Sequence, residues 1–209
     1  MIIKNRDKIP KNKTIRLLFQ PAEEGTGGAL PMIKEGCLDG VDEVYGYHNI
    51  PNFEEGHIRV KAGPVMASST MVDIKITGLG GHGSVPHLVK DVITCGASII
   101  TNFHAIKSRM IDAKENCIFS ITKFESGHTY NVYPDEAFIK GTIRAFNLET
   151  LARIKEKMKM IAESTAEAFG CKVEFKYNDK YPPTINHETE ASHVKRIAEL
   201  HFGDQYVSD

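Results

Sequence analysis

Apolar positions along this chain follow two kinds of pattern, and the change from one to the other divides it. Near the start, residues 14–19 form a short, nearly continuous apolar run, and Val44-Tyr45-Gly46-Tyr47 forms a second. Runs of this kind are expected of strands covered on both faces. Pro21 lacks the N–H that a ladder needs and should end the first one. Between the two runs, Gly25, Gly27 and Gly28 make a permissive loop, and residues 29–34 read as a short helix with Leu30, Ile33 and Cys37 on one face. Gly36 and Asp39-Gly40 close that helix. The expectation is a β-α-β unit whose right-handed crossover sets two parallel strands side by side.

Farther along, the pattern becomes alternation. Residues 71–77 alternate apolar and polar as a half-buried strand does, and Gly78-Leu79-Gly80-Gly81 ends them. Residues 91–108 carry Val92, Ile93, Ala97, Ile100, Phe103 and Ile106 at helical spacing. Residues 117–124 and 137–146 alternate again, with a turn at 131–135 between them. A long amphipathic helix over 148–169 places Leu151, Ile154, Met158, Ile161, Thr165 and Phe169 on one stripe, with Gly170 as its left-handed cap. A last strand covers 173–177, and Tyr181-Pro182-Pro183 marks the exit. The order β-α-β-β-α-β is that of the ferredoxin-like split motif. The predicted fold is therefore α/β: part of an α/β sheet over residues 1–66, an inserted ferredoxin-like piece over 67–179, and a segment over 180–209 that returns to the first.

Composition removes several functions. The chain has 209 residues, 41% hydrophobic and 25% charged, with a net charge of -1; it can bury a core. Lys and Arg are scattered among Asp and Glu, so there is no footprint for nucleic acid or acidic lipid. The segment Met1-Ile2-Ile3-Lys4-Asn5-Arg6-Asp7-Lys8 lacks the apolar core of a signal peptide, and no run approaches the roughly 20 apolar residues of a membrane span; a cytoplasmic location is expected. Cys37, Cys95, Cys117 and Cys171 include no Cys-x-x-Cys pair, which points to reduced, buried thiols rather than a zinc ribbon or redox motif. An RNA-recognition module shares the same element order, but Cys117-Ile118-Phe119-Ser120-Ile121-Thr122-Lys123 lacks its aromatic strand pattern.

Candidate chemistry sits at the ends of the two apolar runs. Glu23 and Glu24 come just after the first, and His48 directly follows the second. Open α/β sheets build their sites at the carboxyl ends of parallel strands, so two carboxylates and an imidazole are expected in one cleft. The segments Gln20-Pro21-Ala22-Glu23-Glu24-Gly25, Gly46-Tyr47-His48-Asn49-Ile50-Pro51, Gly80-Gly81-His82-Gly83-Ser84-Val85-Pro86-His87 and Asn131-Val132-Tyr133-Pro134-Asp135, in this order, resemble the aminoacylase/carboxypeptidase-type metallopeptidase family. The likeness is greatest to its amidohydrolase branch, which contains hippurate hydrolase and indole-acetyl-amino-acid hydrolase.

That resemblance implies a catalytic α/β domain interrupted by a lid and dimerisation domain. It also implies two divalent ions, zinc or manganese first and cobalt or nickel as alternatives, which lower the pKa of a shared water and clamp the reacting oxygens. By the same resemblance Glu24 and His48 are metal ligands, Glu23 is the general base, and His82 stabilises the oxyanion across a homodimer interface. Asn131 and Arg144 bind the substrate's terminal carboxylate. Tyr133 stands where the family has an aliphatic residue and His128 where a small one is common, differences that bear on substrate preference. The family's other ligands, expected before residue 15 and after residue 185, are not in this sequence. Two functions follow: a metal-dependent amidohydrolase of N-acyl amino acids or peptide-like amides, or a non-catalytic dimerisation fragment or truncated gene product of such an enzyme.

Overall fold

The structure, a computed structural model, describes residues 3–25 and 27–209. Met1, Ile2 and Thr26 lie outside the described residues, so the amino-terminal reading covers them by sequence only. Two compact units divide at Phe53/Glu54.

Unit one, Met1–Phe53, holds a 3-10 turn at Ile3–Lys8 and one helix, α1 (Ala29–Lys34). The helix has the bounds its sequence predicts, and Gly36 and Gly40 follow it at φ +83° and +69°, the left-handed geometry glycine takes without penalty. Arg16 ties the loop down, its Nη1 donating to the carbonyls of Cys37 and Asp39 at 2.8 and 3.0 Å. The two parallel strands expected here do not form. Residues 14–19 and 44–47 are irregular, and their apolar side chains are in solvent: Phe19 and Tyr47 are each 83% exposed. The physical reason is the lack of cover and pairing. A doubly apolar strand requires neighbours on both faces and at its edge, and α1 contributes no buried residue.

Unit two, Glu54–Asp209, begins with β1 (Ile58–Arg59) and β2 (Gly63–Met66). There follow β3 (Ser69–Thr77), β4 (Gly81–His82), α2 (Val92–Ala105), β5 (Cys117–Ser126), β6 (Val132–Tyr133), β7 (Glu136–Ala145) and α3 (Leu148–Ala168). The unit ends with β8 (Lys172–Tyr181), β9 (Thr184–Asn186), α4 (Glu188–Phe202) and β10 (Val207–Ser208). A four-stranded antiparallel sheet runs in the order β5-β7-β3-β8. Alternation decides its faces. Val72, Ile74, Ile76, Ala137, Ile139, Ile143 and Ala145 are buried on the helix side with Ile99, Phe103, Ile154 and Met158, full burial of each Val, Ile, Phe or Met side chain being worth roughly 1.5–3 kcal/mol. Met71, Asp73, Lys75, Phe138, Lys140, Thr142 and Arg144, at the intervening positions, face the open side.

The buried face of α2 differs from the expected stripe. Cys95, Gly96 and Ile99 are inside, while Ile93 and Ala97 are exposed. Gly96 explains the rotation: a Cβ there would stand 2.7 Å from the Phe124 ring, which packs into the notch. A bulge between Ile121 and Lys123 brings Phe124 opposite Ile139 and so to the helix side. Asp91 caps α2, Oδ1 accepting from the backbone N–H of Ile93 and Thr94 at 2.9 and 3.1 Å. All four cysteines are free, Cys95 and Cys171 buried and Cys37 and Cys117 half-buried. Among the described residues no helix is long and apolar enough to cross a membrane.

The return segment pairs with the start of this unit. β2 is antiparallel to β9, and β1 is parallel to β10.

Candidate functional site

Glu23 and Glu24 occupy a turn closed by Gly25 and Gly27, whose N–H groups donate to the Ala22 carbonyl at 3.2 and 3.0 Å. Ala22 has φ +52°, the one described non-glycine residue with a positive value. Holding an L side chain there costs roughly 1–2 kcal/mol, a strain typical of backbone that aims functional groups. Gly28 lets the turn close: a Cβ on it would meet the Pro21 carbonyl at 2.1 Å. Both carboxylates are exposed, as is His48, whose Nδ1 lies 2.9 Å from the Asn49 carbonyl oxygen. Among the described residues, no group of three or more His, Cys, Asp or Glu is placed to hold a metal ion. Glu23, Glu24 and His48 therefore do not form a metal centre by themselves.

The two later motifs meet each other. β4 pairs with β6, His82 opposite Val132, and the Gly83 N–H donates to the Asn131 carbonyl at 2.7 Å. Asp135 secures the base of this ribbon, its backbone carbonyl accepting from Gly78 N–H at 2.8 Å and its Oδ1 from Gly80 N–H at 2.7 Å. A side chain at Gly80 would collide with the Tyr133 carbonyl, 2.4 Å from the Cβ position. The glycines are thus needed for close backbone approach. His82 is exposed, and its Nδ1 accepts from the Ser84 backbone N–H at 3.2 Å, with Ser84 Oγ also 2.7 Å away. A backbone N–H can only donate, so the neutral ring carries its proton on Nε2. The imidazole presents a donor outward. Asn131 is exposed too; its Oδ1 accepts from Thr129 Oγ1 at 3.4 Å, and its Nδ2 makes no hydrogen bond among the described residues.

Arg144 is placed elsewhere. It lies half-buried on the open face near the far end of β7, opposite Ile118. Its Nη1 donates to Thr142 Oγ1 at 2.5 Å and to the Ile143 carbonyl at 3.1 Å. It has no carboxylate partner among the described residues. Asn131 precedes β7 and Arg144 nearly ends it, eight residues of strand beyond Glu136, about 26 Å at ~3.3 Å per residue. The structure therefore brings His82 and Asn131 together and sets Arg144 apart from them.

Three contributors have no assigned role in the sequence reading. Asp135 and Ser84 lie inside quoted motifs and hold the ribbon and the His82 tautomer. Thr142 precedes Arg144 by two positions and touches its guanidinium. Their signal is proximity to a motif: Ser84 and Thr142 each touch a residue two positions away, and Asp135 meets Gly80 across the ribbon.

Comparisons with known proteins bear on the family. The model of peptidase family M20/M25/M40 matches residues 1–209. An N-acyl-L-amino acid amidohydrolase of Geobacillus stearothermophilus is 43% identical over 176 residues, 83% of this chain and 47% of that protein. Hippurate hydrolase of Campylobacter jejuni is 36% identical over 196 residues, 93% of this chain and 51% of its own length. A solved Bacillus subtilis structure, described as a dinuclear metal binding peptidase from the M20 family, superposes with a TM-score of 0.73 at 31% identity, over 91% of this chain and 47% of its own. The chain spans about half the length of the curated relatives it matches.

Proposed function

Because the chain belongs to peptidase family M20/M25/M40, we propose that it supplies the substrate-holding and proton-handling groups of a metal-dependent amidohydrolase. The substrates are N-acyl amino acids or peptide-like amides that end in a free carboxylate. The observation that carries this reading is Arg144, a half-buried guanidinium on a rigid sheet with no carboxylate among the described residues to pair with it. A substrate carboxylate completes it by a bidentate pair.

In this proposal His82 donates its Nε2 proton to the oxygen on which negative charge develops, a preorganised donor of the kind that commonly contributes most. Asn131 offers its Nδ2 to the substrate. Glu23 takes the proton of the attacking water, and Glu24 and His48 are the metal ligands that this chain contributes to a centre of two divalent ions, zinc or manganese, with cobalt or nickel compatible with the same donors. These donors do not gather into a metal site among the described residues. That observation also favours the second reading, in which the isolated chain is a non-catalytic dimerisation fragment.

The domain assignment follows: residues 1–66 and 180–209 belong to the catalytic α/β domain, and 67–179 form a ferredoxin-like lid and dimerisation domain. Arg144 stands about 26 Å of strand from Glu136, the end of β7 at which Asn131 enters, more than an N-acyl amino acid spans, and we read one substrate touching both as shared between two copies. A homodimer joined through the lid meets that need, and β5, an edge strand of the sheet, offers the pairing surface. Four free cysteines suit the reducing cytoplasm. Neither nucleic acid nor membrane enters this proposal.

The test is hydrolysis of N-acetyl and N-benzoyl amino acids by the full-length enzyme loaded with manganese or zinc. Glu23→Gln is expected to lose about 10²–10⁴ in kcat with metal content unchanged. A Glu23→Gln enzyme with normal turnover would overturn the assignment.

A further inference from the structure

We propose that Thr142 is a positioning residue that decides which edge of Arg144 meets the substrate; the inference rests on the carboxylate-binding reading of Arg144. Thr142 and Arg144 stand two apart on β7 and so share the open face. Thr142 Oγ1 lies 3.3 Å from the Thr70 carbonyl and donates its single hydrogen there. The lone pairs left over are turned to Arg144, whose Nη1 donates to them at 2.5 Å. The second Nη1 hydrogen goes to the Ile143 carbonyl at 3.1 Å.

Counting hydrogens then fixes the outcome. A guanidinium has five N–H groups. Both on Nη1 are spent inside the protein, and Nε and Nη2 make no hydrogen bond among the described residues. The edge left over is the Nε–Nη2 edge, whose two N–H bonds point in parallel at the spacing of carboxylate oxygens. Arg144 thus binds side-on, with its Nη1 corner pinned.

The pin is itself anchored. Thr70, which supplies the accepting carbonyl, is fully buried, and its own hydroxyl donates to Asp179 Oδ1 at 2.6 Å. Asp179 also receives Lys155 Nζ at 2.6 and 2.8 Å. A line of hydrogen bonds therefore crosses β7, β3 and β8 to α3 and ends at the guanidinium. Without the Thr142 hydroxyl, Nη1 loses one of its two internal acceptors and the plane of the fork is no longer set.

The experiment uses the full-length, metal-loaded enzyme with two substrates, an N-acetyl amino acid and its carboxamide. Thr142→Val, which removes the hydroxyl at constant shape, is expected to raise KM for the carboxylate substrate about tenfold, the equivalent of one hydrogen bond to a charged group. kcat stays within about twofold, and the carboxamide is handled as by the wild type. Thr142→Ser restores KM, and Arg144→Ala/Thr142→Val is no worse than Arg144→Ala, because the threonine acts through the arginine. Thr142→Ala gives the same pattern if valine crowds the neighbouring Met71. Equal losses on both substrates, or no change in KM in either hydroxyl-free variant while Arg144→Ala raises it, would overturn the inference. An Arg144→Ala enzyme with unchanged KM would instead remove the carboxylate reading beneath it.

Discussion

Residues 14–19 in the first unit and 69–77 in the second are both strand-like in composition, and they end up in opposite environments. The latter is paired on both sides in a four-stranded sheet, with Val72, Ile74 and Ile76 buried at 1% exposure or less. In the former, Ile15, Leu17 and Leu18 are 40–48% exposed and no ladder forms. The difference lies in what each pattern asks of its surroundings. An alternating strand needs one covered face, and α2 and α3 come from the same stretch of chain to cover it. A strand apolar on both faces needs two layers, and the first unit has one short helix with nothing buried. Self-sufficiency is thus a property of the pattern, decided before any site is built.

The sharpest way to break this comparison is to truncate one side chain in each region. Ile154→Ala, in the buried stripe of α3, should cost about 2–5 kcal/mol in urea unfolding. Phe19→Ala, at 83% exposure, should cost no more than about 0.5 kcal/mol. Comparable losses at the two positions would contradict the division. Next in size is Gly80→Ala, which sets a methyl 2.4 Å from the Tyr133 carbonyl and should cost about 1–3 kcal/mol. Amide exchange should show the opening confined to β4 and β6; a loss spread over the whole sheet would mean that the ribbon is not a local device.

The smallest expected effect is on acid stability. Hydrogen bonds from Lys155, then Thr70, hold the Asp179 carboxyl below its ordinary value. A carboxyl depressed by folding adds stability that is complete above its unfolded pKa, about 3.9, and lost as pH falls through the lower folded one. Unfolding midpoints should therefore drop below about pH 4 in the wild type and drop less in Asp179→Asn. Because the side chain is 60% exposed, solvent screening keeps the difference small. A steeper acid loss in the variant would reverse the sign.

Much of the second unit was legible because alternation and helical stripes are local. The bounds of α3 differ from expectation by a single residue, and β7 by one at each end. The face of α2 was not, since the meaning of Gly96 depends on the Phe124 ring from a bulged strand. α4 escaped notice because only Ala191 and Ala198 are buried along it, too thin a stripe to stand out. The two-residue strands β1 and β10 have no periodicity to read. For the site, Glu23, Glu24, His48, His82, Asn131 and Arg144 are legible as motif residues. Asp135 and Thr142 act through hydrogen bonds to Gly80 and the Thr70 carbonyl that only strand pairing reveals, and Ser84 through a local bond to the His82 ring that depends on its rotamer.

Met66 and Thr184 are cross-strand partners. Everything from 67 to 183 is, in that sense, the loop of one very long hairpin, entered and left a strand spacing apart, ~4.8 Å. Pro182 and Pro183 supply no N–H there, so the β3–β8 ladder cannot run on unbroken into the β2–β9 pair. A tight turn could replace the entire stretch without disturbing the pairing that flanks it. The stretch thus enters and leaves beside a single pair of short strands.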